Sequence, residues 1–146
     1  MPIVAVLGAG ALALVLTPAL TASAAAKAPS CSNATLKGTY TFASGGWTVA
    51  GGSTTPFALA GVEHYDGAGN IAGVVTTSIN GVIIPGTPNT GTYQINADCT
   101  GTAAFTNSGV TTHFDIYVSP DGDEFQFVGT DPGAVTSATE IRVSRR

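Results

Sequence analysis

FALAGVEHYDGAGNIAGVVTTSING, residues 57–81, decides how the whole chain reads. Its first nine residues alternate. Phe57, Leu59, Gly61, Glu63 and Tyr65 fall on one side of an extended chain, with Ala58, Ala60, Val62 and His64 on the other. Asp66-Gly-Ala-Gly-Asn70 then supplies residues that tolerate positive φ. A second β-rich run covers 71–79, and Asn80-Gly81 is a dipeptide favoured in two-residue hairpins.

The same punctuation recurs on both sides. Turn chemistry stands at Asn96–Gly101, Asn107-Ser-Gly109, Pro120-Asp-Gly122 and Asp131-Pro-Gly133. It delimits predicted strands at 36–43, 57–65, 71–79, 89–96, 102–106, 111–118, 124–130 and 137–144. Short links and no helical period between them predict an all-β chain. The expected architecture is an eight-stranded antiparallel up-and-down β-barrel, because closure removes the edges an open sheet must protect. A β-sandwich is the alternative, although the Cys-Trp-Cys pattern of immunoglobulin domains is absent. Two links are longer. Ala43 to Pro56, with four glycines and Trp47, is expected to be a mobile loop whose Trp47 either plugs a barrel end or covers it. Pro85 to Asn89 is expected to bulge out.

Charged residues make up only 10 % of the chain, against roughly a quarter in a typical soluble domain, and the net charge is −4. Nucleic-acid binding needs clustered cations, and there is no basic stripe here. Ile3 to Leu16 is an apolar run of signal-peptide length, too short for a bilayer of about 30 Å. Small residues from Ala22 to Ala26 fit a processing site, although no Lys or Arg precedes the apolar core. The expected organisation is a signal peptide over 1–26 and one domain over 27–146. The mature protein is then secreted, or periplasmic or attached to the cell envelope, with no stable membrane insertion. Cys31 and Cys99, an even pair in an exported chain, are expected to form a disulfide.

The pattern Gly38-Thr-Tyr-Thr-Phe42, Asp66-Gly-Ala-Gly-Asn70, Asn80-Gly81, Gly91-Thr-Tyr93, Asp98-Cys-Thr-Gly101 and Asp131-Pro-Gly133 resembles a group of small exported bacterial proteins. In architecture the chain is similar to calycins and to the allene oxide cyclase and dirigent barrels. The resemblance implies a fold and no chemistry, because its motifs are turn and strand residues.

Candidate sites follow from the alternation. In 111–118, Phe114, Ile116 and Val118 share a face opposite His113, Asp115 and Tyr117; in 124–130, Phe125 and Phe127 share one. In 137–144, Ile141 and Val143 oppose Glu140 and Arg142. With the larger apolar side chains inward, His113, Asp115, Glu140 and Arg142 are expected in solvent. Glu63 is the exception, an acid on a large-apolar face. There it would either meet a low dielectric that raises its pKa or sit near a wet barrel mouth. A bulge would exchange it for His64.

No metal site is expected. The two histidines lack a third ligand at a metal-binding spacing, and Asp121-Gly-Asp-Glu124 is too short for a calcium loop. No cofactor motif is present either. The functional expectation is a lumen that binds a small, largely apolar molecule. Tyr40, Phe42, Trp47, Phe57, Leu59, Phe114, Phe125 and Phe127 would form its wall, with Glu63 or Tyr65 as polar anchor. One alternative is a cofactor-free isomerase or cyclase using Glu63 with His64 or Tyr65 for proton transfer. The other is a solid-cored barrel that acts through its surface.

Overall fold

A computed structural model describes residues 30–146. The expected signal segment therefore lies outside the described residues. Eight antiparallel strands pair in chain order and close into a barrel, β1 bonding to both β2 and β8. They are β1 (Gly38–Ala50), β2 (Ser53–Tyr65), β3 (Asn70–Ile79), β4 (Val82–Ile95), β5 (Thr100–Asn107), β6 (Val110–Val118), β7 (Glu124–Gly129) and β8 (Ala134–Ser144). Every connection is a tight hairpin. Asn80 and Gly81 both take positive φ, 48° and 85°, as the Asn-Gly reading predicts.

The stretch expected to be a mobile loop is strand. β1 and β2 pair without interruption from Gly38↔Tyr65 to Ala50↔Ser53, and Gly51-Gly52, both at positive φ, make the turn. The other glycines of that stretch serve contact rather than mobility. A Cβ on Gly46 would stand 2.0 Å from the carbonyl oxygen of Val135, so only glycine lets β1 lie this close to β8. Trp47 neither plugs nor covers an end. It occupies the outer face of β1, 52 % exposed, between Pro56 and Val135. β4 also begins earlier than expected. The Pro85-Gly86 bulge lies within it, two residues facing Thr76 alone as the register steps from Val75↔Thr87 to Thr77↔Ile84.

The barrel has two unlike ends. At one, a 3-10 turn (Asn33–Leu36) lays Leu36, fully buried, over the interior. Beneath it Tyr40, Tyr65, Tyr93 and Phe125 meet edge to face with ring centroids 5.1–5.4 Å apart. The hydroxyls of this plug are satisfied: Tyr40 donates to the Gly122 carbonyl at 2.6 Å, and Tyr93 to that of Asn33 at 3.0 Å. The Cys31–Cys99 disulfide forms as expected and ties this cap to the β4–β5 turn. At the other end the β1–β2, β3–β4, β5–β6 and β7–β8 hairpins surround an opening.

Candidate functional site

Alternation decides what lines the interior. Even-numbered residues of β1, β6 and β8 face in, as do odd-numbered residues of β2, β3, β5 and β7. The expected faces of β2, β6 and β7 are correct; that of β8 is inverted. Ile141 and Val143 are exposed, whereas Glu140 is completely buried and Arg142 has its side chain inside the cap. Choosing the inner face by apolar bulk fails on β8, because its inner side chains are small in the open half (Ala134, Thr136, Ala138) and polar in the closed half. Arg142 braces the plug: its Nε donates to the Tyr40 hydroxyl at 2.9 Å and its Nη1 meets Asp123 at 3.0 Å. His113 and Asp115 do stand outside the core, His113 with Nδ1 2.8 Å from Asp131 at the lip of the opening.

The small inner residues of β8 leave the open half hollow. A cavity of about 420 Å³ runs inward from the four hairpins. Phe42, Phe57, Leu59, Phe105, Phe114 and Phe127 form much of its wall, with Val75, Ile79 and Ile84 completing the β3–β4 side. Five of the expected wall residues are among these. Tyr40 and Phe125 belong to the plug instead, Trp47 is outside, and His64 points outward, its Nδ1 3.4 Å from the Thr39 hydroxyl.

Ser and Thr hydroxyls are spread through the cavity wall, and its larger polar groups sit at set depths. Glu63 faces it, 2 % exposed, with Asn89 beside it and Asn107 nearer the opening. Gly73 makes this possible, since a Cβ there would come within 2.8 Å of the Glu63 Cγ. Asn89 donates to Glu63 Oε1 at 2.5 Å. Behind Glu63 lies the Tyr65 hydroxyl, 3.2 Å from Glu63 Oε2 and 2.9 Å from Glu140 Oε1. One hydroxyl carries one proton and can donate to only one of them. Both contacts are hydrogen bonds only if a carboxyl group supplies a second proton.

Burial raises the pKa of both acids, Glu140 well above its ordinary range because the charge of Glu63 adds to the desolvation. For Glu63, its neighbours Glu140, Tyr65 and Asn89 act against the rise. Glu140 is therefore the proton-bearing member and Glu63 the acceptor. Desolvation, then the two neighbouring carboxyls, also pushes the Tyr65 phenol well up, so it stays a donor. Among the described residues no Lys, Arg or His side chain is paired with either acid.

Sequence reasoning missed Glu140, Asn89 and Asn107. Asn89 shares a face with Tyr93 and Ile95, so period two read back from Tyr93 could have found it; Asn107 shares one with Phe105 but reads as turn chemistry. Nothing in β8 alone reveals the inner face on which Glu140 lies. Among the described residues no cluster of His, Cys, Asp and Glu is arranged to hold a metal. Comparison with protein-family models, curated proteins and solved structures finds no significant match. What the cavity does must be argued from its own chemistry.

Proposed function

We propose that this is an exported binding protein that holds a small, largely apolar molecule in the open half of its barrel. The observation that carries this reading is the cavity itself. Its wall is built on aromatic and aliphatic side chains with Ser and Thr hydroxyls between them, it opens at one end, and its buried polar side chains are Glu63 and Asn89. That is the usual make-up of a small-molecule site. A hollow interior is also costly to keep, because each void forfeits packing that a larger side chain would supply. The disulfide and the resemblance to small exported bacterial barrels support export. The likeness to calycins is one of architecture.

The test pairs a neutral fluorescent probe, N-phenyl-1-naphthylamine, with Thr77→Phe, which fills the cavity from β3. The wild type should enhance the probe's emission, and the variant should lose at least about tenfold in affinity, or about 1.4 kcal/mol. Equal binding by both proteins, or none by the wild type, would count against a lumenal site.

A second reading has one observation in its favour. Glu63 faces the cavity while Tyr65 and Glu140 stand behind it as a hydrogen-bonded proton store. A cofactor-free isomerase or cyclase would use such a carboxylate as general base, with the proton returned from the same group. In that case His64 takes no part, since it lies on the outer face.

A further inference from the structure

We infer that the lumen selects a cationic ligand: an amine carried on an apolar body, whose ammonium group meets Glu63. This rests on the lumenal-binding reading and names the chemical class that the site takes. Three observations carry it.

The first is the sign of the lining. Two acids contribute to the cavity wall, Glu63 deep inside and Asp131 at the lip, and none of the described lining residues is Lys or Arg. His113, the one basic group there, already lies 2.8 Å from Asp131. An apolar molecule with a carboxylate head would thus meet like charge at both levels.

The second is an unfilled polar requirement. Glu140 is wholly buried, its Oε2 has no hydrogen-bond partner among the described residues, and none of the described Lys, Arg or His side chains is paired with it or with Glu63. A carboxyl pair without a countercharge is an unfavourable thing to bury, and removing one partner of a buried ion pair typically costs several kcal/mol. Of these two carboxyls only that of Glu63 lines the cavity, so a countercharge for the pair reaches it through Glu63.

The third is geometry. Glu63 accepts from Asn89 at Oε1 and from Tyr65 at Oε2, leaving one acceptor direction on each oxygen. An ammonium group has three donors and offers charge-assisted bonds, about twice as strong as neutral ones. Around the carboxyls of Glu63 from β2 and Glu140 from β8 stand Tyr65 from β2, Asn89 from β4 and, on the Glu140 side, Tyr40 from β1. Arg142 is turned away, bonded to Tyr40, Asp123 and the Thr35 carbonyl. With an ammonium in place, the proton held by Glu140 is no longer needed to relieve the like charges, so binding should release protons.

Octylamine, 1-octanol and octanoate share one chain and differ in head group, and titration calorimetry of each against the wild type at pH 7.5 reads the preference. Octylamine should bind at least about tenfold tighter than octanol, and octanoate weakest. Repeating the amine titration in buffers of different ionisation enthalpy should show net proton release. Glu63→Gln should bring the amine to within about twofold of the alcohol, while circular dichroism checks that the barrel is intact. Octanol binding as tightly as octylamine to the wild type would overturn the cationic assignment and leave lumenal binding standing. So would an amine preference that survives in folded Glu63→Gln. Failure of all three to bind would overturn both readings.

Discussion

Glu63 and Glu140, from strands that are not neighbours in the barrel, share the hydroxyl of Tyr65, which lies 3.2 Å from one carboxyl and 2.9 Å from the other. Such a pair titrates as a unit, so the proton it keeps belongs to the arrangement more than to either residue.

Stability should therefore fall as pH rises through the range in which the pair ionises. Both folded-state values lie above the unfolded ones, so the native state binds more protons there than the unfolded chain. The contribution is complete below the unfolded carboxyl value of about 4.3 and declines as the pH climbs through the raised values. Urea denaturation at pH 5 and pH 8 should show the decline. Glu140→Gln, which holds a neutral group in the same place, should flatten it and be at least as stable as wild type at pH 8. An identical slope in the variant would show that Glu140 does not hold the proton. Side-chain carboxyl NMR should also show Glu63 titrating above a free glutamate.

Asp66 acts with the opposite sign. Its side chain is fully exposed and accepts from Asn70 Nδ2 and from the backbone N–H groups of Ala68, Gly69 and Asn70, which lower its pKa to about 2. That contribution is present above the unfolded value of about 3.9 and is lost as the pH falls through about 2. Asp66→Asn should make the acid limb of the stability profile shallower while leaving the region above pH 5 unchanged. A melting series from pH 2 to 5 checks this.

Glycine substitutions should separate close contact from open space on one strand. At Gly45 a Cβ would meet nothing nearer than 3.4 Å, whereas at Gly46 it would meet backbone at 2.0 Å. Gly45→Ala should be nearly neutral, and Gly46→Ala should cost roughly 1–3 kcal/mol, as overpacking does. Gly81→Val should also cost more than about 1 kcal/mol, through its φ of 85° rather than through contact. Chemical denaturation of the three variants decides between these mechanisms.

Opening the disulfide should lower stability by about 4 kcal/mol on the loop-entropy estimate, given its separation of 68 residues. Cys31→Ser with Cys99→Ser should show the loss in equilibrium denaturation. A loss well under 1 kcal/mol would mean that Cys31 N–H to the Ala97 carbonyl and the other cap bonds hold that segment unaided.

The barrel was legible in the sequence because its turns announce themselves. Asn80-Gly81 and the Asp66 turn need residue types that strands avoid, and alternation between them fixes the faces of β2, β6 and β7. Glu63 was legible for the same reason, as an acid out of step with its own stripe. The β1–β2 extension was not, because Gly45, Gly46, Gly51 and Gly52 look alike in sequence while two make a turn and two sit in a strand. Glu140 was hidden more deeply. Its face depends on register with β1, where Phe42↔Glu140 is a contact between residues 98 positions apart. The apolar bulk of Ile141 and Val143 points the wrong way.

The glycines of the hairpins tell the two ends apart in one further respect. At Gly51, Gly52, Gly81 and Gly109, around the opening, an added Cβ would meet nothing within 4 Å, and of the hairpin glycines there Gly133 alone would meet backbone, the Val49 carbonyl oxygen at 2.3 Å. At Gly67, Gly69 and Gly122, around the cap, it would meet other segments at 2.1–3.2 Å. The cap's turns are built into one another, so a change in any of them is felt by the whole fold. Most of the rim's turns are independent, so they can be lengthened, shortened or exchanged one at a time while the plug keeps the barrel closed. In this molecule the task of staying folded and the task of choosing a guest fall to opposite poles, and a designer could rewrite the second without reopening the first.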